Sequence, residues 1–401
     1  MNKHRVAISA VFVLHGAGAG SVATRIPWFQ DRFDLGPTLL GLVLLCPTIG
    51  AFVGMPLAGR VAHRLGTRTA TRLMLVLWAA VFALPALAPS PLALVPLFLL
   101  YGVLIGMLDV VMNAHAVVVE RALERPVMSG LHGLWCVGSL AGGGIGALAA
   151  QTGTDARLHL GAMAVTLLLV GVAAGPFLLA DTTAPDAPAP RRFALPTRAV
   201  AALGLVGFCA TFAEGASANW TAVYLIEVTG AGPGPAAASY TFFMLCMATA
   251  RLAGDRLVRR FGPVATVRYG GVLAVAGGIV VVTSRTTLLS VPAFALIGVG
   301  VAVVVPLVIT AAGNASASPG EGVASMTTIT YLSGLAAPAV TGWLAGTVSY
   351  PAAFVVITAV VGLMTVRAGA LRPRTAPSGT LTRSPAPEPS SPSEAPARRA
   401  R

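Results

Sequence analysis

Residues 102–120 (GVLIGMLDVVMNAHAVVVE) read as a helix that is apolar nearly all the way round. Such a helix must lie in a large core or in a bilayer. Asp109, Asn113 and Glu120 fall at i, i+4 and i+11, so they share one face of it. Charged residues make up 10% of the 401 positions and apolar ones 56%, whereas a soluble domain carries about 25% charge. The chain is therefore expected in a membrane. A carboxylate at the centre of the hydrocarbon costs roughly 2.5–3.5 kcal/mol on insertion scales, so Asp109 should face a cavity or a partner. It serves either a transport pathway or, protonated, a helix–helix hydrogen bond.

About 20 apolar residues cross a bilayer, and twelve runs qualify: 6–28, 39–60, 70–89, 91–120, 130–153, 157–180, 198–228, 237–258, 265–284, 287–313, 321–346 and 350–371. Two polar segments divide them. The expected organisation is an N-terminal six-helix half at 1–180, a proline-rich cytoplasmic connector at 181–197, a C-terminal six-helix half at 198–371 and a disordered Pro/Ser/Arg tail at 372–401. The net charge of +13 comes almost wholly from arginine. It sits in short loops and in the tail, which excludes nucleic-acid binding and puts both termini in the cytoplasm of a plasma-membrane protein. Cys46, Cys136, Cys209 and Cys246 lie inside apolar runs without CxxC spacing and read as small buried hydrophobes.

The halves repeat in one register. Arg60, Arg64 and Gly66 recur 196 residues later as Arg256, Arg260 and Gly262. Phe98, Gly102, Val127, Ser129, Gly138 and Gly146 recur as Phe294, Gly298, Val323, Ser325, Gly334 and Gly342. Parallel repeats related by an axis along the membrane normal are a transporter architecture.

The connection GRVAHRLGTR (59–68) resembles the loop signature of the major facilitator superfamily, with His63 where that signature usually has aspartate. The second half, RLAGDRLVRRFG (251–262), retains Asp255 and Arg256. The segments ATRIP (23–27), DVVMNAHAVVVE (109–120), Met128 through His132 and EGASANWTAVYL (214–225) resemble the MosC/YbjJ branch of that superfamily, which is distantly similar to fucose permeases. The resemblance covers about residues 1–370. It implies a secondary transporter, and for the branch a sugar- or cyclitol-like substrate.

Glu214, midway along span seven between Thr211 and Ser217, is the second intramembrane carboxylate. Asp109 and Glu214 are the expected proton-coupling residues, one in each half. Gly215 permits a local unwinding beside Glu214. Asn113, Trp135, Asn219 and Trp220 are expected around the ligand, since amides hydrogen-bond hydroxyls and indoles stack on ring faces. Trp220 reads equally as an interfacial anchor. Arg25, after the small-residue run 16–20, is a candidate for an anionic group or for pairing with Asp31 or Asp34. His15 reads as a core histidine. Glu120 and His132 are expected as an inner-gate pair or a loop anchor. Arg251 and Asp255 should pair at i, i+4, and Arg60, Arg64, Arg256 and Arg260 should join the cytoplasmic ends through helix C-termini and Asp255. Gly138, Gly142 and Gly146 have the GxxxG spacing of close helix contact.

No Walker, HExxH, GxSxG or dinucleotide fingerprint occurs, so neither enzymatic nor ATP-driven chemistry, nor any cofactor or metal, is expected. The reading is an all-α membrane protein of twelve transmembrane helices in two parallel six-helix repeats. It would be a monomeric, proton-coupled secondary transporter of a small polar solute, with substrate, protons and membrane lipid as its partners. An exporter or antiporter of a metabolite or drug on the same fold is the alternative, followed by a non-transporting receptor.

Overall fold

The computed structural model describes residues 2–35, 37–180, 197–231, 233–316 and 319–372. The connector expected at 181–197 lies outside the described residues except for Thr197, and the tail expected at 372–401 lies outside them except for Arg372. The helices are α1 (Asn2–Ala23), α2 (Ile26–Arg32), α3 (Pro37–Val81), α4 (Pro91–Leu123), α5 (Met128–Gln151), α6 (Ala156–Ala174), α7 (Arg198–Thr229), α8 (Pro233–Thr283), α9 (Thr287–Val301), α10 (Val304–Asn314), α11 (Pro319–Thr347) and α12 (Tyr350–Arg367).

Ten stretches among the described residues are long and apolar enough to cross a membrane. Two of these hold a pair of crossings each, because α3 (45 residues) and α8 (51 residues) turn back at a glycine. Gly66 has φ 76° and ψ 156°, and Gly262 has φ 77° and ψ 165°. That left-handed region is accessible to glycine without steric cost. Counted this way, with α9 and α10 as one broken crossing, the chain makes the twelve passes the hydropathy implies.

The 196-residue register extends into the packing. A Cβ on Gly102 would lie 2.2 Å from the Pro47 carbonyl oxygen, and one on Gly298 would lie 2.8 Å from the Phe243 ring. Both members of the first contact recur 196 positions later in the second. Each repeat also has an aromatic core. Trp78, Phe82, Phe98 and Tyr101 meet in the first, and Tyr224, Phe294 and Phe354 meet edge to face at 5.0–5.5 Å in the second.

The repeats diverge at one crossing. Helix α4 is continuous for 33 residues, whereas its counterpart breaks between α9 and α10. Pro306 explains the break. It has no N–H to donate to the Ala302 carbonyl one turn earlier, and it sits in the first turn of α10.

Helices α1 and α5 interlock. A Cβ on Gly16 or Gly20 would lie 2.0 Å from the Trp135 or Ser139 carbonyl oxygen, and one on Gly138 or Gly142 would lie 2.1 or 2.0 Å from that of Val13 or Ala17. The expected close contact of the GxxxG residues is thus made between these two helices. Two expectations are corrected. The first span ends at Ala23 rather than running to residue 28, because the chain turns at Thr24 before the short helix α2. Helix α7 runs unbroken through Gly215, so no unwinding accompanies Glu214.

Candidate functional site

A cavity of about 370 Å3 that carries polar side chains lies between the two repeats. Its wall in the first repeat carries His15, Asp109, Asn113, His132 and Trp135, and its wall in the second carries Thr211, Glu214, Arg251, Thr327, Thr330, Tyr331 and Ser333. Helical spacing sets most of this. Asp109 and Asn113 lie one turn apart on α4, and Asn113 donates through Nδ2 to the backbone oxygen of Asp109 at 2.8 Å and to its Oδ1 at 3.2 Å. With its amide hydrogens so placed, Asn113 turns Oδ1 to His132 Nε2 at 3.1 Å, and that nitrogen must carry the proton. Trp135 Nε1 donates to His15 Nδ1 at 2.7 Å, which fixes His15 as the Nε2–H tautomer.

Tyr331 on α11 reaches from the second repeat to the first and donates its hydroxyl to Asp109 Oδ2 at 3.2 Å. The side-chain partners of Asp109 are therefore neutral. Glu214 is placed differently. Its Oε2 lies 2.8 Å from Arg251 Nη2, the one carboxylate–guanidinium pair among the described residues. Arg251 is held on its other two nitrogens as well. Nη1 donates to Cys136 Sγ at 3.2 Å, and Nε donates to the Ala302 carbonyl at 3.0 Å. That carbonyl is the one that Pro306 leaves without its helical donor. The guanidinium thus repairs the break in the tenth crossing while presenting a charge to the cavity.

The hydroxyls of Thr211 and Ser333 meet at 2.6 Å, and Thr327 is buried with no hydrogen-bond partner for its hydroxyl among the described residues. Sequence reasoning missed the α11 contribution. The run TTITYLS (327–333) places Thr327, Thr330 and Tyr331 at i, i+3 and i+4, which is a one-sided hydroxyl pattern that would have revealed it.

Several expected partners do not meet. Arg251 and Asp255 do not pair. Arg251 turns to Glu214, while Asp255 accepts the N–H groups of Ser129 (Oδ1) and Gly130 (Oδ2), both at 3.0 Å, at the start of α5. Glu120 and His132 are not a pair either. Glu120 Oε2 accepts the N–H of Val127 at 2.7 Å and of Met128 at 2.9 Å. The first N–H groups of α5, which lack intrahelical acceptors, are therefore satisfied by two carboxylates, one from each repeat. Ser129 Oγ also donates to the Arg251 carbonyl at 2.8 Å, and Arg121 donates to Asn314 Oδ1 at 2.5 Å and to the Gly313 carbonyl at 2.7 Å. Gly59 of α3 packs against Gly320 of α11. These contacts shut the arginine-rich end of the molecule. Beside them lies a second cavity of about 720 Å3, lined in part by Glu120, Asp255 and Thr310. Arg60 is half-buried, and Arg64, Arg256 and Arg260 are exposed. No carboxylate of the described residues is in ion-pair reach of these four, so the closure rests on helix capping instead of arginine pairs.

Arg25, Asn219 and Trp220 also lie away from the cavity lining. Arg25 is buried beyond the end of α1, where Nε donates to His159 Nδ1 at 3.0 Å. Asn219 is exposed, and Trp220 packs against Tyr350, with ring centroids 6.1 Å apart. Both follow Glu214 on a continuous helix, at about 140° and 240° around it from that residue, and so face elsewhere.

Residues 8–338 match the sequence pattern of the Major Facilitator Superfamily. An MFS-type transporter of Yersinia pestis is 34% identical over 369 residues, covering 91% of this chain and 94% of that one. The membrane protein MosC of Rhizobium meliloti is 29% identical, covering 88% and 86%. The solved structure of the E. coli fucose:proton symporter FucP superposes with a TM-score of 0.74 at 16% identity, covering 92% and 98%. Twelve crossings in two repeats, a cavity between them and a sequence match over most of the chain place this protein in the major facilitator superfamily of membrane transporters.

Proposed function

We propose that the protein is a proton-coupled secondary transporter that moves a small hydroxylated solute, sugar- or cyclitol-like, through the central cavity by alternating access. The observation that carries this reading is the unequal treatment of the two cavity carboxylates. Glu214 is neutralised by Arg251, whereas Asp109 meets the neutral donors Tyr331 and Asn113. Asp109 is therefore the group whose charge can change without breaking an ion pair. Its bond to Tyr331 ties that change to the contact between repeats. Proton occupancy that alters substrate affinity lets a proton gradient bias the two access states.

The lining suits a polyol. Thr211, Thr327, Thr330, Ser333 and Trp135 all line a space within the range of small-molecule sites. The likeness in fold to a fucose:proton symporter supports the same class. The distribution of arginine supports a cytoplasmic location for the closed end and both termini of a plasma-membrane protein.

Purified protein in proteoliposomes tests the reading with a panel of sugars and cyclitols. Asp109→Asn should retain counterflow of the substrate and lose accumulation driven by a pH gradient. Gradient-driven accumulation by that variant would remove Asp109 from coupling. Absence of counterflow with every hydroxylated solute would remove the substrate class.

A further inference from the structure

The turn between the two arms of α8 carries a surface that transport through the central cavity does not use. Gly262 reverses the chain there and leaves a pocket of about 460 Å3 lined by Phe261, Pro263, Arg268 and Tyr269, among others. Phe261 and Tyr269 meet edge to face at 6.1 Å, yet they are 46% and 67% exposed. The guanidinium of Arg260 lies 5.3 Å from the centre of the Phe261 ring. Arg259, Arg260 and Arg268 are all exposed, and no carboxylate of the described residues is in ion-pair reach of any of them.

Along the second arm of α8, Tyr269, Val272 and Ile279 form an outward apolar stripe. It runs into a groove between α8 and α12 lined by Val275, Ile279, Val355 and Thr358. From Tyr269 to Ile279 is about 15 Å along the helix, roughly half the hydrocarbon thickness. A pocket lined by Arg268 and two aromatic rings, with Arg260 stacked on one ring and Arg259 exposed beside it in sequence, therefore sits at the head of an apolar track of the length one acyl chain needs.

The first repeat supplies an internal comparison, because its turn at Gly66 has nearly the same backbone angles. Leu65 and Leu73 stand where the second repeat has Phe261 and Tyr269. Arg68 donates to the Pro176 carbonyl at 2.8 Å, and Arg72, the counterpart of Arg268, packs over Gly175. At the equivalent turn of the first repeat Arg72 is thus packed and leucines replace the two rings, while Arg64, the counterpart of Arg260, is exposed.

We infer that the α8 turn is a binding site for an anionic phospholipid, with its phosphate held by Arg259, Arg260 and Arg268 and an acyl chain along the second arm of α8. Guanidinium forks bind phosphate oxygens in pairs. An amphipathic tyrosine ring suits the headgroup level, and basic groups next to the membrane are drawn to anionic leaflets.

The test is lipid retention by delipidated protein in detergent, read by native mass spectrometry on titration with phosphatidylglycerol or phosphatidylcholine. Wild type should retain phosphatidylglycerol preferentially. That preference should fall about fivefold for each arginine changed to glutamine at 259, 260 and 268. Phe261→Ala with Tyr269→Ala should weaken retention of both lipids, and Arg64→Gln in the first repeat should change neither. Competition by millimolar inorganic phosphate would identify a free-phosphate site and overturn the lipid assignment. Equal retention of the two lipids by wild type, or an unchanged preference in the triple variant, would also overturn it. Should the triple variant fail to purify, Arg268→Gln alone carries the same fivefold expectation.

Discussion

Asp255 on α8 reaches across the boundary between repeats to accept the backbone N–H of Ser129 at 3.0 Å, and with its second oxygen the N–H of Gly130. The bond joins a side chain of one repeat to the helix terminus of the other, so it exists only while the arginine-rich end is shut. Charge-assisted bonds of this type contribute about 1.5–3 kcal/mol each. Asp255→Asn should therefore shift the population toward opening at that end by tenfold or more. Thr310→Cys, placed in the adjoining cavity, reports it: maleimide labelling in inside-out vesicles should speed up in the Asp255→Asn background. An unchanged rate would show that the cap does not hold the end shut.

The pair of Arg251 with Glu214 should behave as a unit. Removing one member of a fully buried pair costs about 3–5 kcal/mol; here Arg251 is buried but Glu214 is a quarter exposed to the cavity, so the cost should fall below that range. Glu214→Gln and Arg251→Gln should each lower the yield of folded protein, and the double variant should recover much of it. Detergent-solubilised yield and Tm measure this. Double-variant stability no better than either single variant would mean that Arg251 acts mainly through Ala302 and Cys136.

Pro306→Ala restores an N–H opposite the Ala302 carbonyl and sets it in competition with Arg251 Nε. The tenth crossing should become a continuous helix like α4. Thermal stability should hold or rise by about 1 kcal/mol, while transport falls as the guanidinium loses its anchor. Transport at the wild-type rate would show that the break has no part in function.

The α1–α5 interlock gives a contrast within one helix. Gly142→Ala puts a methyl 2.0 Å from a backbone carbonyl, whereas a Cβ on Gly144 meets nothing within 4 Å. The first should destabilise by at least 1–3 kcal/mol, the usual cost of overpacking, and the second should be neutral or slightly stabilising. Melting of the two variants in detergent distinguishes them.

Features that depend on one segment at a time were legible in the sequence. Apolar runs of spanning length, the repeat register and the glycines at 66 and 262 are local or periodic, and the structure reproduces them. Choices among partners were not legible. Arg251 and Asp255 satisfy the i, i+4 rule, yet packing of α7 and α5 against α8 offers each a better partner: Glu214 for one, the α5 terminus for the other. Arg25 looked like a residue of span one because nothing in the apolar pattern marks the turn at Thr24. Asn219 and Trp220 looked close to Glu214 because they are close in sequence, but an unbroken helix rotates them away.

The four glycine contacts that bind α1 to α5 have a mechanical consequence. Side chains can slide or swap rotamers, but backbones seated carbonyl-on-Cα cannot shift past one another without a clash. The two helices therefore move as one lever. Its α5 end carries Ser129, engaged by Asp255, and its middle carries His15 and Trp135 in the cavity wall. Release of that end must tilt the wall as well, so opening at one end and reshaping of the cavity are a single displacement.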